Sequence, residues 1–337
     1  MRTHKYTIQV VAPADRRTHS GKVVVSETKR FASKRGLRVH EMPPRTYRRD
    51  LRSRWADLAN RISSESFDLG VVVSFGYFLP RSVLETFRSG CVNVHPSLLP
   101  LYRGAAPIEH ALINNDEQTG VSIIEVDPSA FDTGAMLDKK TFNIDPSPDL
   151  SADDLLSQLS QEGATMVRDV LGRLDEARAN ASPQEDEILR GGERRHAPKL
   201  DSNFGNVSWK NLSAWEIFGR SRALSSRGGI FSYGEADGRR VSLFKVRTAA
   251  HYERHGTNSA LPPSLSDEDS EPGTALYDRG TRAVWVKCRD DWIAIEEFRP
   301  EGKRKMSATD FANGFRFLKR RAGTSYRFRE GKRRKAK

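Results

Sequence analysis

Three side chains in the first half of the sequence have the types and spacing that catalysis requires: Asn93, His95 and Asp132. Asn93 and His95 close an apolar run, "CVNVH", and the chain then enters a loop of Pro, Ser, Tyr, Arg and Gly. At i and i+2 of a strand, their side chains project to the same side. A strand that only fills a core has no need of an amide and an imidazole at its end. Asp132 follows in "FDTGAML", just past the next apolar run. An imidazole near a carboxylate works as acid or base near neutral pH. An asparagine amide can donate to a developing oxyanion. Taken singly, each has a plainer reading: a satisfied histidine, a turn amide, a turn or helix cap. As a set they form a candidate site. No serine or cysteine nucleophile motif and no dinucleotide or Walker fingerprint accompanies them. That leaves direct attack of a substrate nucleophile on a bound donor.

The elements that must position these groups follow from periodicity. "TIQVVA" (7–12) predicts a strand, "SETKRFASKRG" a helix ending at Gly36, and "RVHEMP" a short strand. Leu51, Trp55, Leu58 and Ile62 fall at helical spacing. "FDLGVVVSF" is a continuous β-branched run, expected for a strand covered on both faces. "PRSVLETFR" predicts a short helix, "GCVNVH" a strand, a helix starts near Pro107, and "TGVSIIEVD" is a strand. Alternating strands and helices predict an α/β fold with a doubly wound, mainly parallel sheet. Ligands of such sheets sit at the carboxyl ends of the strands, where Asn93 and His95 lie. A helix over 151–174 with Ser151 as N-cap comes next, then a polar, aperiodic stretch read as a linker over 179–202. Beyond it, short strands divided by Gly and Asp turns predict a small barrel or sandwich over 203–320. Residues 255–273 are low-complexity and read as a loop, and 321–337 as a basic tail.

Composition narrows the partners. The chain has 337 residues, 37% hydrophobic and 30% charged, with a net charge of +12. Residues 301–337 hold 14 Lys or Arg against three acids, nearly the whole excess. Such a balance favours polyanionic partners. Arg16, Arg17 and Lys22 make a second basic site, in the loop after the first strand. Cys91 and Cys288 are far apart in apolar surroundings, which fits buried thiols rather than a disulfide framework or zinc site. No apolar stretch is long enough to span a bilayer, and no signal or transit peptide is visible in this chain.

"NVHPSLLPLYRGAAPIEHAL…GVSIIEV…FDTG" resembles the formyltransferases that use 10-formyltetrahydrofolate, which carry Asn-x-His, an SLLP-x-x-RG loop and a later Asp-x-Gly. "RGAAPI" resembles the branch whose acceptor is methionyl-tRNA, and "GTALY…VWVKCRDDWIAIEEFRP" resembles that branch's appended OB-type barrel. The spacing in "VDPSAFDTG" resembles the mitochondrial form. The resemblance implies a Rossmann-like catalytic domain over 1–178, an OB-like tRNA-binding domain, a mitochondrial location and a monomer. It makes His95 and Asn93 the groups that polarise the formyl carbonyl and hold its oxyanion, and Asp132 the group that orients His95. Ser97, Leu98, Leu99 and Pro100 would line the folate, with no metal needed. Arg16, Arg17 and Lys22 would contact the acceptor end of initiator methionyl-tRNA.

Two rivals remain at this stage. One is a folate-dependent formyltransferase acting on a nucleotide sugar or purine intermediate. The other is a tRNA-binding protein without catalysis. The second draws on a departure from the family pattern: the family opens with a strand, a "GT" turn and a helix before the strand at Thr7, and that unit is absent here. The expectation is that the sequence is a fragment or incomplete gene model rather than a short form with impaired folate binding. Without the unit, a sheet edge should be exposed.

Overall fold

Capping and burial explain most element boundaries in the computed structural model, which describes residues 6–17, 21–43, 48–189, 193–235, 238–254, 270–315 and 326–331. Thr18, His19, Ser20, residues 255–269 of the low-complexity stretch and the tail "KRRKAK" lie outside the described residues. Ser26 caps the helix Glu27–Lys34, its hydroxyl accepting from the Lys29 amide, and Gly36 adopts φ +68° just beyond the helix end. Ser151 opens the helix Ala152–Gly172 with a reciprocal pair. Its hydroxyl accepts from the Asp154 amide at 3.1 Å, while the Asp154 carboxylate accepts from the Ser151 amide at 3.0 Å.

Residues 1–95, 122–139 and 166–192 belong to one compact unit, and 96–121, 140–165 and 193–337 to a second. In the first, Gln9–Pro13 pairs in parallel with Arg38–Met42. Gly70–Val73 pairs in parallel with Cys91–His95, which pairs antiparallel with Gln118–Glu125. Met136–Asn143 completes this second sheet. The helix Arg48–Glu65 lays Trp55, Leu58, Ala59 and Ile62 into a core that also takes Val11 and Met42 from the first sheet. The same core takes Phe67, Phe75 and Phe87 from the segments flanking Gly70–Val73 and following it. One helix thus packs against the first sheet and against the segments on either side of Gly70–Val73.

The β-branched run of Gly70–Val73 predicts cover on both faces, and here the structure differs. Val71 and Val73 are 45% and 57% exposed. The two parallel pairs form separate sheets, with no hydrogen-bonded ladder joining them among the described residues. Among the described residues no strand pairs with the outer edge of Gly70–Val73, as the sequence leads one to expect, and one face of that strand is about half-exposed. The strand Met136–Asn143 went unread in the sequence because "MLDKKTFN" is mostly polar outside its first two residues.

The second unit carries a closed barrel. Arg240–Thr248, Ile230–Gly234, Tyr326–Arg329, Thr274–Asp278, Ala283–Lys287 and Trp292–Pro300 are neighbours in that order. Pairing of Arg240–Thr248 with Trp292–Pro300 closes the ring. Val284, Ile293, Ile295, Phe298 and Phe311 fill it, all fully buried. Tyr326–Arg329 adds a strand inside 321–337, which the sequence pattern reads as a basic tail. The architecture is an α/β domain with a Rossmann-like, mainly parallel sheet arrangement and an OB-like barrel. Among the described residues, no helix is long and apolar enough to cross a membrane.

Candidate active site

The strand Cys91–His95 is held on both sides, by Gly70–Val73 and by Gln118–Glu125. That fixes the direction of the side chains at its carboxyl end. Asn93 and His95 project together, and the turn after the neighbouring strand brings Asp132 to them. The Asn93 amide Nδ2 donates to Asp132 Oδ1 at 3.2 Å. His95 Nδ1 lies 3.6 Å from the same oxygen, and the His95 and Asp132 side chains are only 6% and 10% exposed. The three residues picked from sequence therefore converge on one carboxylate oxygen. At 3.6 Å the imidazole is in ion-pair range of Asp132, with the charge interaction arising when the ring is protonated. The Asn93 amide carries a second N–H, so it can hold the carboxylate and still donate to a ligand.

The turn that carries Asp132 is locked from several sides. Asp132 has φ +58°, in the left-handed region that Asp tolerates better than most residues. Asp127 Oδ1 accepts from the Ser129 amide at 2.7 Å and its hydroxyl at 2.5 Å, and Oδ2 accepts from Thr133 Oγ1 at 3.2 Å. These hydrogen bonds, led by the Ser129 hydroxyl, hold the Asp127 carboxyl below its ordinary pKa. Gly134 passes so close to the Glu125 carbonyl that a Cβ there would collide with it.

Sequence reasoning missed a fourth contributor. Gln184 is fully buried, and its Nε2 donates to the Asp132 carbonyl at 3.0 Å and the Gly134 carbonyl at 2.8 Å. Beside it, Ser182 exchanges backbone hydrogen bonds with Met136 at 2.8 and 3.2 Å. Gln184 opens the helix Gln184–Leu189, inside the stretch that reads as an aperiodic linker. A signal was present: "SPQEDE" sets Pro and acidic residues at a helix start.

The remaining residues picked from sequence are placed as follows. The chain runs from His95 directly into 97–100. Ser97 is fully buried and its hydroxyl donates to the Leu101 carbonyl at 2.6 Å. Leu99 and Pro100 are buried as well, and Leu98 is half-buried. Of these four residues, Leu98 rather than the Ser97 hydroxyl is therefore the one with surface to offer a ligand. The loop is tied down by Tyr102, whose hydroxyl donates to Asp116 and accepts from Asn114 at 2.8 Å and Arg195 at 3.1 Å. Arg16 and Arg17 form an exposed two-residue strand paired with Val23–Val24, and Lys22 is exposed at the same hairpin. They stand at the carboxyl end of Gln9–Pro13, on a different loop and sheet from the triad. Both cysteines are buried, and burial pushes the Cys91 thiol up to about 12.

Residues 9–171 match the Formyl transferase family, and residues 199–316 match Formyl transferase, C-terminal domain. The chain is 33% identical to the methionyl-tRNA formyltransferase of Geobacter metallireducens, over 92% of this chain and 88% of that protein. It is 31% identical to the human mitochondrial methionyl-tRNA formyltransferase over 77% of this chain, and spans 62% of that protein's length. Among solved structures, HypX from Aquifex aeolicus in complex with tetrahydrofolic acid superposes with a TM-score of 0.54. It is 16% identical, and the match covers 96% of this chain and 51% of that one.

Proposed function

The chain belongs to the formyl transferase family, and on that premise we propose that it transfers a formyl group from 10-formyltetrahydrofolate to the amino group of methionyl-tRNA. The observation that carries this reading is the convergence of Asn93 Nδ2 and His95 Nδ1 on Asp132 Oδ1, at 3.2 and 3.6 Å. Its support from kinship is the 33% identity with a methionyl-tRNA formyltransferase over most of both chains.

The chemistry follows from these groups. The methionyl amine attacks the formyl carbon; a C–N bond forms and the carbonyl oxygen becomes an oxyanion. The second N–H of Asn93 and the His95 ring donate to that oxyanion. Such donors matter because they are aimed at charge that develops only in the transition state. Asp132 holds both donors in place and takes part in moving the amine proton toward N10 of the folate, whose bond to the formyl carbon then breaks. Of the folate-lining loop, Leu98 is the residue with surface left open, while Ser97, Leu99 and Pro100 are buried and shape the loop from behind.

The basic hairpin of Arg16, Arg17 and Lys22 would contact phosphates at the acceptor end of the tRNA, giving affinity rather than sequence reading. Its exposure supports the role. The domain division proposed is catalytic over 1–178, linker over 179–202, tRNA-binding barrel over 203–320 and basic tail over 321–337, with Tyr326–Arg329 of that tail returning to the barrel as a strand. The two family matches, over 9–171 and 199–316, support it. Relatives of similar identity include both mitochondrial and bacterial proteins. We place this chain in mitochondria on the resemblance of the 126–134 turn to the mitochondrial form, and read it as a monomer on the family resemblance alone.

The deciding experiment is transfer of labelled formyl from 10-formyltetrahydrofolate to methionyl-tRNA by wild type and His95→Ala. Turnover that falls by at least about a hundredfold in the variant is expected. Turnover at the wild-type rate in His95→Ala would overturn the assignment of chemistry.

A further inference from the structure

A cavity of about 400 Å³ opens between the strand Arg38–Met42 and the helix Arg48–Glu65, in the first unit and on the other sheet from Asn93 and His95. Its size is that of a small-molecule site. Val39, Met42, Pro43 and Leu58 supply apolar walls. The helix adds Arg54, Asp57 and Arg61, spaced to share one face with Leu58. That spacing invites ion pairs, from Arg54 to Asp57 at i, i+3 and from Asp57 to Arg61 at i, i+4. The same spacings close elsewhere in the chain, at 2.8 Å between Arg30 and Glu27 and 3.6 Å between Arg81 and Glu85. Here, among the described residues, neither pair forms, and all three charged groups line the cavity instead. His40 is the fourth polar group of the lining, and hydrogen bonds set its state. The Gln9 amide donates to Glu65, so its oxygen faces His40 Nε2 at 2.6 Å and Nε2 carries the ring proton. Burial, then the charges of Arg38 and Arg61, hold His40 below its ordinary pKa. Nδ1 of the neutral ring is thus an acceptor. Glu41, also at the cavity, is held by Lys29 at 2.7 Å. The lining therefore offers two unpaired guanidiniums, one free carboxylate, one imidazole acceptor and apolar walls.

We propose that this cavity is a binding site for a ribonucleoside 5′-monophosphate group. Arg54 and Arg61 take the phosphate, the anion that guanidiniums suit best. Asp57 accepts from a ribose hydroxyl, as acidic residues do in dinucleotide sites. The base lies against the apolar walls, and His40 Nδ1 accepts a hydrogen from its edge. Such a group belongs either to a free nucleotide or to the 5′-phosphorylated end of an RNA. Ala14 also lines the cavity, and the basic hairpin opens two residues later at Arg16, so an RNA end held there is the second source. The site does not depend on which molecule accepts the formyl group.

The test is titration of the full chain with AMP, followed by calorimetry and by the NMR signals of the His40 ring. Saturable binding and a shift of the His40 signals are expected. Arg54→Ala and Arg61→Ala should each weaken binding by about tenfold, and the two together should abolish it. Asp57→Ala should erase the preference for AMP over its 2′-deoxy form. Arg52→Ala, on the same helix but not at the cavity, should bind as wild type does. All four side chains are exposed, so thermal melts of the variants should match that of wild type. Uncharged tRNA carrying a 5′-phosphate or a 5′-hydroxyl separates the two sources. Weaker binding of the 5′-hydroxyl form by wild type, but not by the double arginine variant, assigns the site to the RNA end. Equal binding of both forms, with AMP bound, assigns it to a free nucleotide. No AMP binding at millimolar concentration together with no 5′-phosphate effect would overturn the proposal. So would AMP binding that the double variant keeps in full.

Discussion

Replacing Gln184 with alanine should damage the site from outside it. The Gln184 amide donates to the carbonyls of Asp132 and Gly134 at 3.0 and 2.8 Å, from a fully buried position. Alanine removes both donors and leaves two buried acceptors with less than they had. An acceptor stripped of its partner in the interior costs about 1–3 kcal/mol, though a carbonyl tolerates this better than an N–H does. The sum is about 2–4 kcal/mol, enough to open the turn roughly thirty- to several-hundredfold more often. The Asp132 backbone moves when its carbonyl does, and the 3.2 Å bond from Asn93 to its carboxylate is strained with it. Urea unfolding should show the loss of stability, and kcat for formylation should fall by at least about tenfold.

Gln184→Glu sharpens the case because it keeps the shape and inverts the polarity. An ionised carboxylate facing two carbonyl oxygens repels them, so at pH 7 this variant should be no better than the alanine. The neutral acid can donate one hydrogen bond, so activity relative to wild type should recover as pH falls. A Gln184→Ala protein that unfolds within about 0.5 kcal/mol of wild type and keeps its kcat would refute the view that this residue holds the turn.

Asn93→Ala should lower kcat by about a hundred- to a thousandfold, the usual cost of losing one oxyanion donor, with a smaller change in KM; steady-state kinetics measures the split. Asp127, whose pKa is depressed by the Ser129 and Thr133 hydrogen bonds, should stabilise the protein fully above the ordinary aspartate value of about 3.9. That contribution should vanish as pH falls through the depressed folded value, so urea melts of wild type and Asp127→Asn should converge on acidification below the ordinary aspartate range. Cys91, pushed up to about 12 by burial, should resist thiol reagents at pH 8 in the folded protein and react once unfolded. Titration with a chromogenic disulfide checks this. Val71→Thr with Val73→Thr, on a face already 45% and 57% exposed at these positions, should reduce aggregation measured by light scattering without loss of formylation.

The chemistry-bearing residues were readable in the sequence because they sit where local rules are strong. Asn93 and His95 close a strand whose period is two, so their common direction is fixed without knowing its neighbours. Asp132 follows within one turn of the next strand. Gln184 was not readable in this way. It reaches the turn from some fifty positions away, through a short helix in polar sequence whose only local marks are Pro183 and its acids. The strand Tyr326–Arg329 was hidden for a related reason. Its basic residues look like solvent-exposed tail, while only Phe328 turns fully into the barrel core. Exposure of Val71 and Val73 was also beyond the local pattern, since a β-branched run reports suitability for burial and not whether anything comes to bury it.

The bare face of Gly70–Val73 and the polar residues of the next strand can be separated by register. Val72 pairs with Asn93 across the parallel ladder, Val71 with Val92 and Val73 with Val94. In-register neighbours in a parallel pair share a face, and successive residues alternate. Asn93 and His95 therefore stand on the face of Val72, while the exposed Val71 and Val73 stand on the other. An element laid over the bare valines would cover Val71 and Val73 without meeting His95 directly. The direction of the triad is set instead by two ladders that are already complete, to Gly70–Val73 on one side and Gln118–Glu125 on the other, and by a turn fastened from residues 182–184. Geometry at the catalytic end and cover at the sheet's edge are thus distinct demands on the same strand pair.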